Sequence, residues 1–318
     1  MRIALGIALA TQTPLIGQSP TVAPSGLVKA PTIQPPPAGE IEILPVRGNI
    51  YALMGAGANI IASVGPDGVL LVDSLFAPLA DRLVAAVRQV TDREIRFLIN
   101  THIHPDHIGG NEPLAIRGVL IFAHDNVRLR ALEQLRFPRR GGQFVPPPPE
   151  KARPVVTYND RVSFHLNGEE VRAFLAPPAH TDGDTFVYFP ESDVLHLGDV
   201  FRTTSYPIID VYNGGTLAGT IKALEIGIAM AGPDTKIIPG HGLAIVGRSA
   251  LVEFRNMVVD IRDRVRTMIS KGRTLDEVMA ARPTAAYDAR WGQEASWTAD
   301  DLIPIVYHEL GGSALRNP

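Results

Sequence analysis

The sequence predicts an α/β fold of layered sheets with helices on their outer sides, and three observations predict it. Short apolar, β-rich runs alternate with segments of helical period between residues 41 and 270, a pattern that builds helix-covered sheets and not a helical bundle. The chain has 318 residues, 45% hydrophobic and 20% charged, with a mean hydropathy of +0.09. That is enough to bury a sizeable core and too apolar for a disordered tail or a fibrous repeat. Ligand-type side chains also recur where the apolar runs end, and loops at one edge of a rigid sheet are where binding groups gather.

At the N-terminus, Met1 and Arg2 precede an apolar run over residues 3–10 that closes on Ala8-Leu9-Ala10, the small-x-small pattern of a cleaved export signal. The expected location is therefore the periplasm or the exterior, and the cytoplasm if the run is no signal. Residues 11–40 carry Pro14, Pro20, Pro24, Pro31 and Pro35-Pro36-Pro37; proline fixes φ and removes a donor, so residues 1–40 read as leader and linker. Strands are expected at 49–53, 58–64 and 69–73, with Gly65-Pro66-Asp67-Gly68 turning the chain between the last two. Leu79, Leu83, Val84, Val87 and Val90 mark a helix over 77–90, and a strand follows at 95–100.

Further strands are read at 119–122, 161–165, 171–175, 185–189 and 194–197, helices at 216–230 and 249–270, and a strand at 236–239 between those helices. The proline- and glycine-rich stretch 136–154 has no period and reads as a mobile flap. Residues 41–270 form the expected main domain. Residues 271–318, with helices at 275–281 and 298–310 and with Trp291 and Trp297 in the joining loop, form a helical extension packed on it.

Composition narrows the chemistry. The 30 Lys+Arg against 33 Asp+Glu give a net charge of −3, which announces no nucleic-acid surface. No apolar stretch approaches the roughly 18–20 residues of a membrane span. With no cysteine, disulfides, thiolate ligands and a cysteine nucleophile are excluded, so His, Asp and Glu must hold any metal.

Nine histidines occur, three of them within Thr101-His102-Ile103-His104-Pro105-Asp106-His107. In extended backbone an H-x-H pair points both imidazoles to one side, and Pro105 bends the chain so that Asp106 and His107 aim at a second point. Core packing does not explain four metal-preferring side chains in six residues. Gly109-Gly110 follows, with Asn111 placed to cap the next helix. His180, Asp199 and His241 each stand just after an expected strand. His124, His165, His196 and His308 read as structural.

The series His102-x-His104-x-Asp106-His107, His180, Asp199, His241 resembles the metallo-β-lactamase superfamily over roughly residues 41–270. The resemblance implies a four-layer αβ/βα sandwich with two zinc ions at one edge. His102, His104 and His180 would hold one; Asp106, His107 and His241 would hold the other, with Asp199 bridging or serving the second. It further implies a hydroxide shared by the two ions that attacks a carbonyl, with Asp106 orienting it.

The segment from His180 to Asp199 resembles that of the di-zinc β-lactamases, in which a cysteine often stands where this chain has Asp199. A harder carboxylate shifts the pattern toward glyoxalase II and makes iron or manganese credible alongside zinc. By the same resemblance Arg202 would bind a substrate carboxylate, and Asn213 would donate to a developing oxyanion. The expected partner is a small carbonyl compound, with β-lactam hydrolysis the leading activity. A glyoxalase II-like thioesterase is the alternative, and a non-catalytic metal scaffold or a phosphodiesterase stands behind both.

Overall fold

The computed structural model describes residues 40–137 and 143–312. The expected export signal and nearly all of the linker lie outside these residues.

Strands β1 (Glu42–Arg47), β2 (Ile50–Met54), β3 (Ile60–Gly65) and β4 (Gly68–Val72) pair antiparallel in sequence order. The β3–β4 turn closes on Gly65 opposite Gly68, whose φ of 104° is in the left-handed region that glycine enters freely. Helix α1 (Ala80–Arg88) returns the chain so that β5 (Ile95–Ile99) lies parallel to β4. Short helices α2 (Pro105–Ile108) and α3 (Asn111–Ile116) lead to β6 (Leu120–His124), parallel to β5. Helix α4 (Asp125–Arg130) and a small hairpin of β7 (Leu135–Phe137) and β8 (Gln143–Val145) precede β9 (Val156–Tyr158), which completes a seven-stranded sheet.

The second sheet runs antiparallel through β10 (Arg161–Leu166), β11 (Glu169–Leu175), β12 (Thr185–Phe189) and β13 (Val194–His196). Helix α5 (Leu217–Met230) then carries the chain to β14 (Lys236–Ile238), parallel to β13. Helix α6 (Arg248–Ser270) follows, and then α7 (Leu275–Ala280), α8 (Asp288–Trp291) and α9 (Ala299–Glu309).

Three apolar layers hold this together. Ile61, Val72 and Ile99 of the first sheet meet Val171, Val187 and Ile238 of the second in the central core. Leu83, Val87 and Leu114 cover the outer face of the first sheet. Leu224, Phe254 and Val258 cover the outer face of the second, and Trp297, Val306 and Tyr307 from the end of the chain join the same core. The result is an αββα sandwich. Removing this apolar area from water, at roughly 25 cal/mol per Å², offsets the cost of ordering the layers.

Several elements depart from the sequence reading. β1 contains Pro45 and is half-exposed at the edge of its sheet, where a proline costs no ladder bond. β9 is a three-residue strand at the opposite edge, too short to show a period. The 136–154 stretch is not structureless: the hairpin and a 3₁₀ turn at Glu150–Ala152 order its described part. Asn111 does not cap α3, since Gly110 takes that position. Its side chain instead donates to Asn100 Oδ1 at 2.8 Å and to the Ala152 carbonyl at 2.9 Å.

Candidate metal centre

Parallel strands deliver their carboxyl ends to one edge, and the ligand-type residues sit there. Asp73 follows β4, residues 101–107 follow β5, Asp199 follows β13 and His241 follows β14. His180 lies on the β11–β12 connection, which reaches the same edge. Gly240 lets two of these loops touch: a Cβ there would collide with Asp199 Oδ1 and would come within 2.6 Å of the Gly198 carbonyl oxygen.

The seven residues singled out by the sequence converge, with His102, His104 and His180 in one group and Asp106, His107 and His241 in another. The structure brings Asp199 between them. Its Oδ1 is 3.3 Å from His107 Nε2, and its Oδ2 is 3.3 Å from His241 Nε2 and 3.8 Å from His180 Nε2. Asp106 Oδ2 is 3.0 Å from His241 Nε2 and 3.6 Å from His107 Nε2.

Hydrogen bonds on the far side of each ring assign where its lone pair points. His180 donates from Nδ1 to the Ile208 carbonyl at 2.6 Å, and His104 donates from Nε2 to Asp210 Oδ2 at 2.7 Å. Thr101 gives its one hydroxyl proton to Asp73 Oδ2 at 2.7 Å. At 3.0 Å from His102 Nδ1, that hydroxyl oxygen must therefore accept. The inward nitrogens then face one another as lone pairs: His104 Nδ1 and His180 Nε2 are 2.9 Å apart, and His102 Nε2 and His180 Nε2 are 3.2 Å apart. Such an arrangement is repulsive unless a cation lies among them. In the second group, His107 Nδ1 donates to Asp73 Oδ2 at 2.7 Å. Its Nε2, His241 Nε2 and Asp199 Oδ1 are buried without a hydrogen bond, and clustered in this way they fit a bound cation.

The electrostatics agree. Burial, reinforced by His107 and His180, holds His102 well below the usual histidine value. Burial and His104 bring His180 down to about 3, so both rings stay neutral and keep their lone pairs. Burial opposes charge on His107 as well, but Asp106, Asp73 and Asp199 raise it well above the ordinary value; with protein groups alone, a proton balances those carboxylates. Burial alone would raise Asp199, yet His241, Arg202 and His107 hold it well below the carboxylate range. Imidazoles and ionised carboxylates are the donor set that suits zinc, and iron or manganese nearly as well.

Arg202 and Asn213 are both engaged by other protein groups. Arg202 is 5% exposed, and its guanidinium is engaged by Asp199 at 2.6 Å, Glu294 at 3.1 Å and Ser205 at 3.0 Å. Asn213 is not on the cavity wall; its side-chain amide donates to the Arg136 carbonyl at 2.9 Å and to Asp210 Oδ2. Asn213 thus supports Asp210, which fixes His104, and offers no donor to a substrate oxygen.

Sequence reasoning missed Asp73 and Asp210. Asp73 is wholly buried and accepts from His107, from Thr101 Oγ1 and, at 2.8 Å, from the Thr101 backbone N–H. Its signal was present: a carboxylate closing an apolar strand, as Asp199 does. Asp210 carries no local signal. We expect Asp73→Asn to lower metal affinity about 10–100-fold, measured by competition against a chromophoric chelator; unchanged affinity would remove the positioning role.

The cavity above the centre holds about 450 Å³. His104, Asp106, Asp199 and His241 form its floor, and Phe76, Phe137, Ile208, Leu243 and Trp297 contribute its apolar walls.

The chain is similar to known proteins along most of this framework. Among curated relatives, the linear primary-alkylsulfatase of a Pseudomonas species is 23% identical over 252 residues, covering 67% of this chain and 48% of the relative. The hydroxyacylglutathione hydrolase of Acaryochloris marina is 29% identical over 154 residues, covering 48% of this chain and 47% of the relative. The chain thus spans about half the length of the curated relatives it matches. Among solved structures, a metallo-beta-lactamase from Pontibacter korlensis superposes with a TM-score of 0.58 at 16% identity, covering 69% of this chain and 99% of that one; this likeness speaks to fold alone. The family model of the metallo-beta-lactamase superfamily matches residues 55–241. Since that match takes in more than half of the chain and runs from β3 through His241, the chain belongs to the metallo-beta-lactamase superfamily.

Proposed function

We propose that the protein is a metal-dependent hydrolase of small esters or thioesters with an apolar body. The observation that carries this reading is the set of inward imidazole nitrogens at 2.9 and 3.2 Å, which a cation bound among them makes favourable. His102, His104 and His180 would hold one ion and Asp106, His107 and His241 the other, with Asp199 shared, and zinc in both places. Two such ions would supply Lewis acidity and a water acidic enough to ionise near neutral pH.

The chain's own groups do the rest. Asp106 is kept ionised by His107 and His241 against the opposing effect of burial, lines the cavity, and can accept a hydrogen bond from the attacking water. The walls around Phe137, Leu243 and Trp297 exclude solvent and bind an apolar acyl or leaving group. His104 is fixed from behind by Asp210, and His102 through Thr101 by Asp73.

The substrate class follows from charge. A β-lactam carries a carboxylate that needs a cation, and Arg202 already faces Asp199 and Glu294. A neutral ester or thioester has no such need. The hydroxyacylglutathione hydrolase relative, whose name describes thioester cleavage, supports the thioester by reaction type and not by charge, and the β-lactam stands second. A panel of metal-loaded protein with an aryl ester, a thioester, a lactone, a chromogenic β-lactam, an alkyl sulfate and a phosphodiester tests it. The highest kcat/KM is expected on the ester or thioester; turnover confined to the alkyl sulfate, the phosphodiester or the β-lactam would overturn the assignment.

A further inference from the structure

The segment after α8 contributes a charged group to the cavity that the ligand set does not explain. Glu294, Ser296 and Trp297 line the cavity, and Trp297, 1% exposed, anchors the segment by donating from Nε1 to the Pro207 carbonyl at 3.0 Å. Arg202 is the only Arg or Lys among the described residues that line the cavity. One side of its guanidinium donates to Asp199 Oδ2, and Nη2 donates to Glu294 Oε2 at 3.1 Å. Between Asp199 and Glu294 the single positive charge faces two carboxylates. An anionic group on a bound molecule must displace Glu294 or meet its like charge, which is a repulsive element of specificity.

We propose that Glu294 sets the charge selectivity of the cavity by covering Arg202, so that acyl substrates with a negative group beside the scissile bond are rejected. This rests on the hydrolase reading above and names its substrate class: neutral acyl compounds. Glu294 acts through Arg202 and is a specificity-determining residue, not a catalytic one.

The test compares metal-loaded wild-type protein with Glu294→Gln on p-nitrophenyl butyrate and p-nitrophenyl hemisuccinate, which share a leaving group and differ by a carboxylate. The kcat/KM ratio of charged to neutral ester is expected to rise about tenfold in Glu294→Gln, since an uncovered guanidinium can pair with the carboxylate, and to return toward the wild-type ratio when Arg202→Gln is added. Binding gives a second readout: Kd values of 4-phenylbutyrate and 4-phenylbutyramide, followed by quenching of tryptophan fluorescence, should shift by a similar factor in favour of the acid. An unchanged ratio, or a gain that survives Arg202→Gln, overturns the proposal. If Glu294→Gln does not fold, Glu294→Asp, which withdraws the carboxylate by one methylene, should shift the ratio part of the way, and no shift there is equally fatal. If wild-type protein cleaves neither ester, the substrate panel above decides the hydrolase reading and the Kd ratio alone decides the role of Glu294.

Discussion

His102→Ala is expected to reduce turnover about 100-fold or more, because it removes an imidazole from the interior of the cluster and not from its support; even groups behind the ligands typically cost 10–100-fold. His102 Nε2 lies 3.2 Å from His180 Nε2 and belongs to two of the three ligand groupings, one with His104 and His180 and one with His107 and Asp199. Its loss therefore disturbs both halves of the centre. Steady-state kinetics on the purified variant, together with its metal-to-protein ratio from elemental mass spectrometry, decide the point. A variant with wild-type kcat and a full metal complement would remove the proposed centre. The circular dichroism spectrum should stay close to wild type, because the αββα framework draws its stability from apolar layers that do not include His102.

Stripping the metals is expected to produce the other large effect. A ligand that binds only the folded state at about 1,000 times its Kd contributes about 4.1 kcal/mol. At about 2–4 °C per kcal/mol for chains of 150–250 residues, dialysis against a chelator should lower Tm by on the order of 10 °C, and re-addition of zinc should restore it. The metal-free protein should also acquire an alkaline weakness. His107 and His241 are raised above the ordinary histidine value, where burial opposes their charge and the surrounding carboxylates prevail. A histidine whose folded pKa exceeds its unfolded value stabilises fully below about 6.5 and loses that contribution as pH rises through the folded value. The Tm of stripped protein should therefore fall as pH increases from about 6.5, and the loaded protein should resist, since the cation takes the place of those protons. Identical pH profiles for stripped and loaded samples would contradict the assignment of His107 and His241.

Much of this centre could be read from the chain alone because its residues lie at the ends of apolar runs. Those runs were legible as strands through local properties: β-branched content, bounding turns and, at Gly65 to Gly68, a turn that only a few residue types can make. The crowding of His102, His104, Asp106 and His107 is likewise a local fact. Where reading failed, the deciding contact was not local. Pro45 obscured an edge strand that its neighbour β2 defines, and residues 136–154 offered no period although pairing between Leu135 and Val145 orders a hairpin there.

The sequence by itself determined that the chain folds into helix-covered sheets and which seven metal-preferring side chains stand at the strand ends, because residue type and spacing are written in order along it. Only the tertiary structure decided what surrounds them. Asp210 reaches His104 across 106 positions, and Glu294 reaches Arg202 across 92. Hydrogen bonds and ion pairs depend on distances in space that no spacing in the chain reports. For that reason Arg202 and Asn213 could be recognised by type while the partners that occupy their donors, Glu294 and the Arg136 carbonyl, arrive from distant elements.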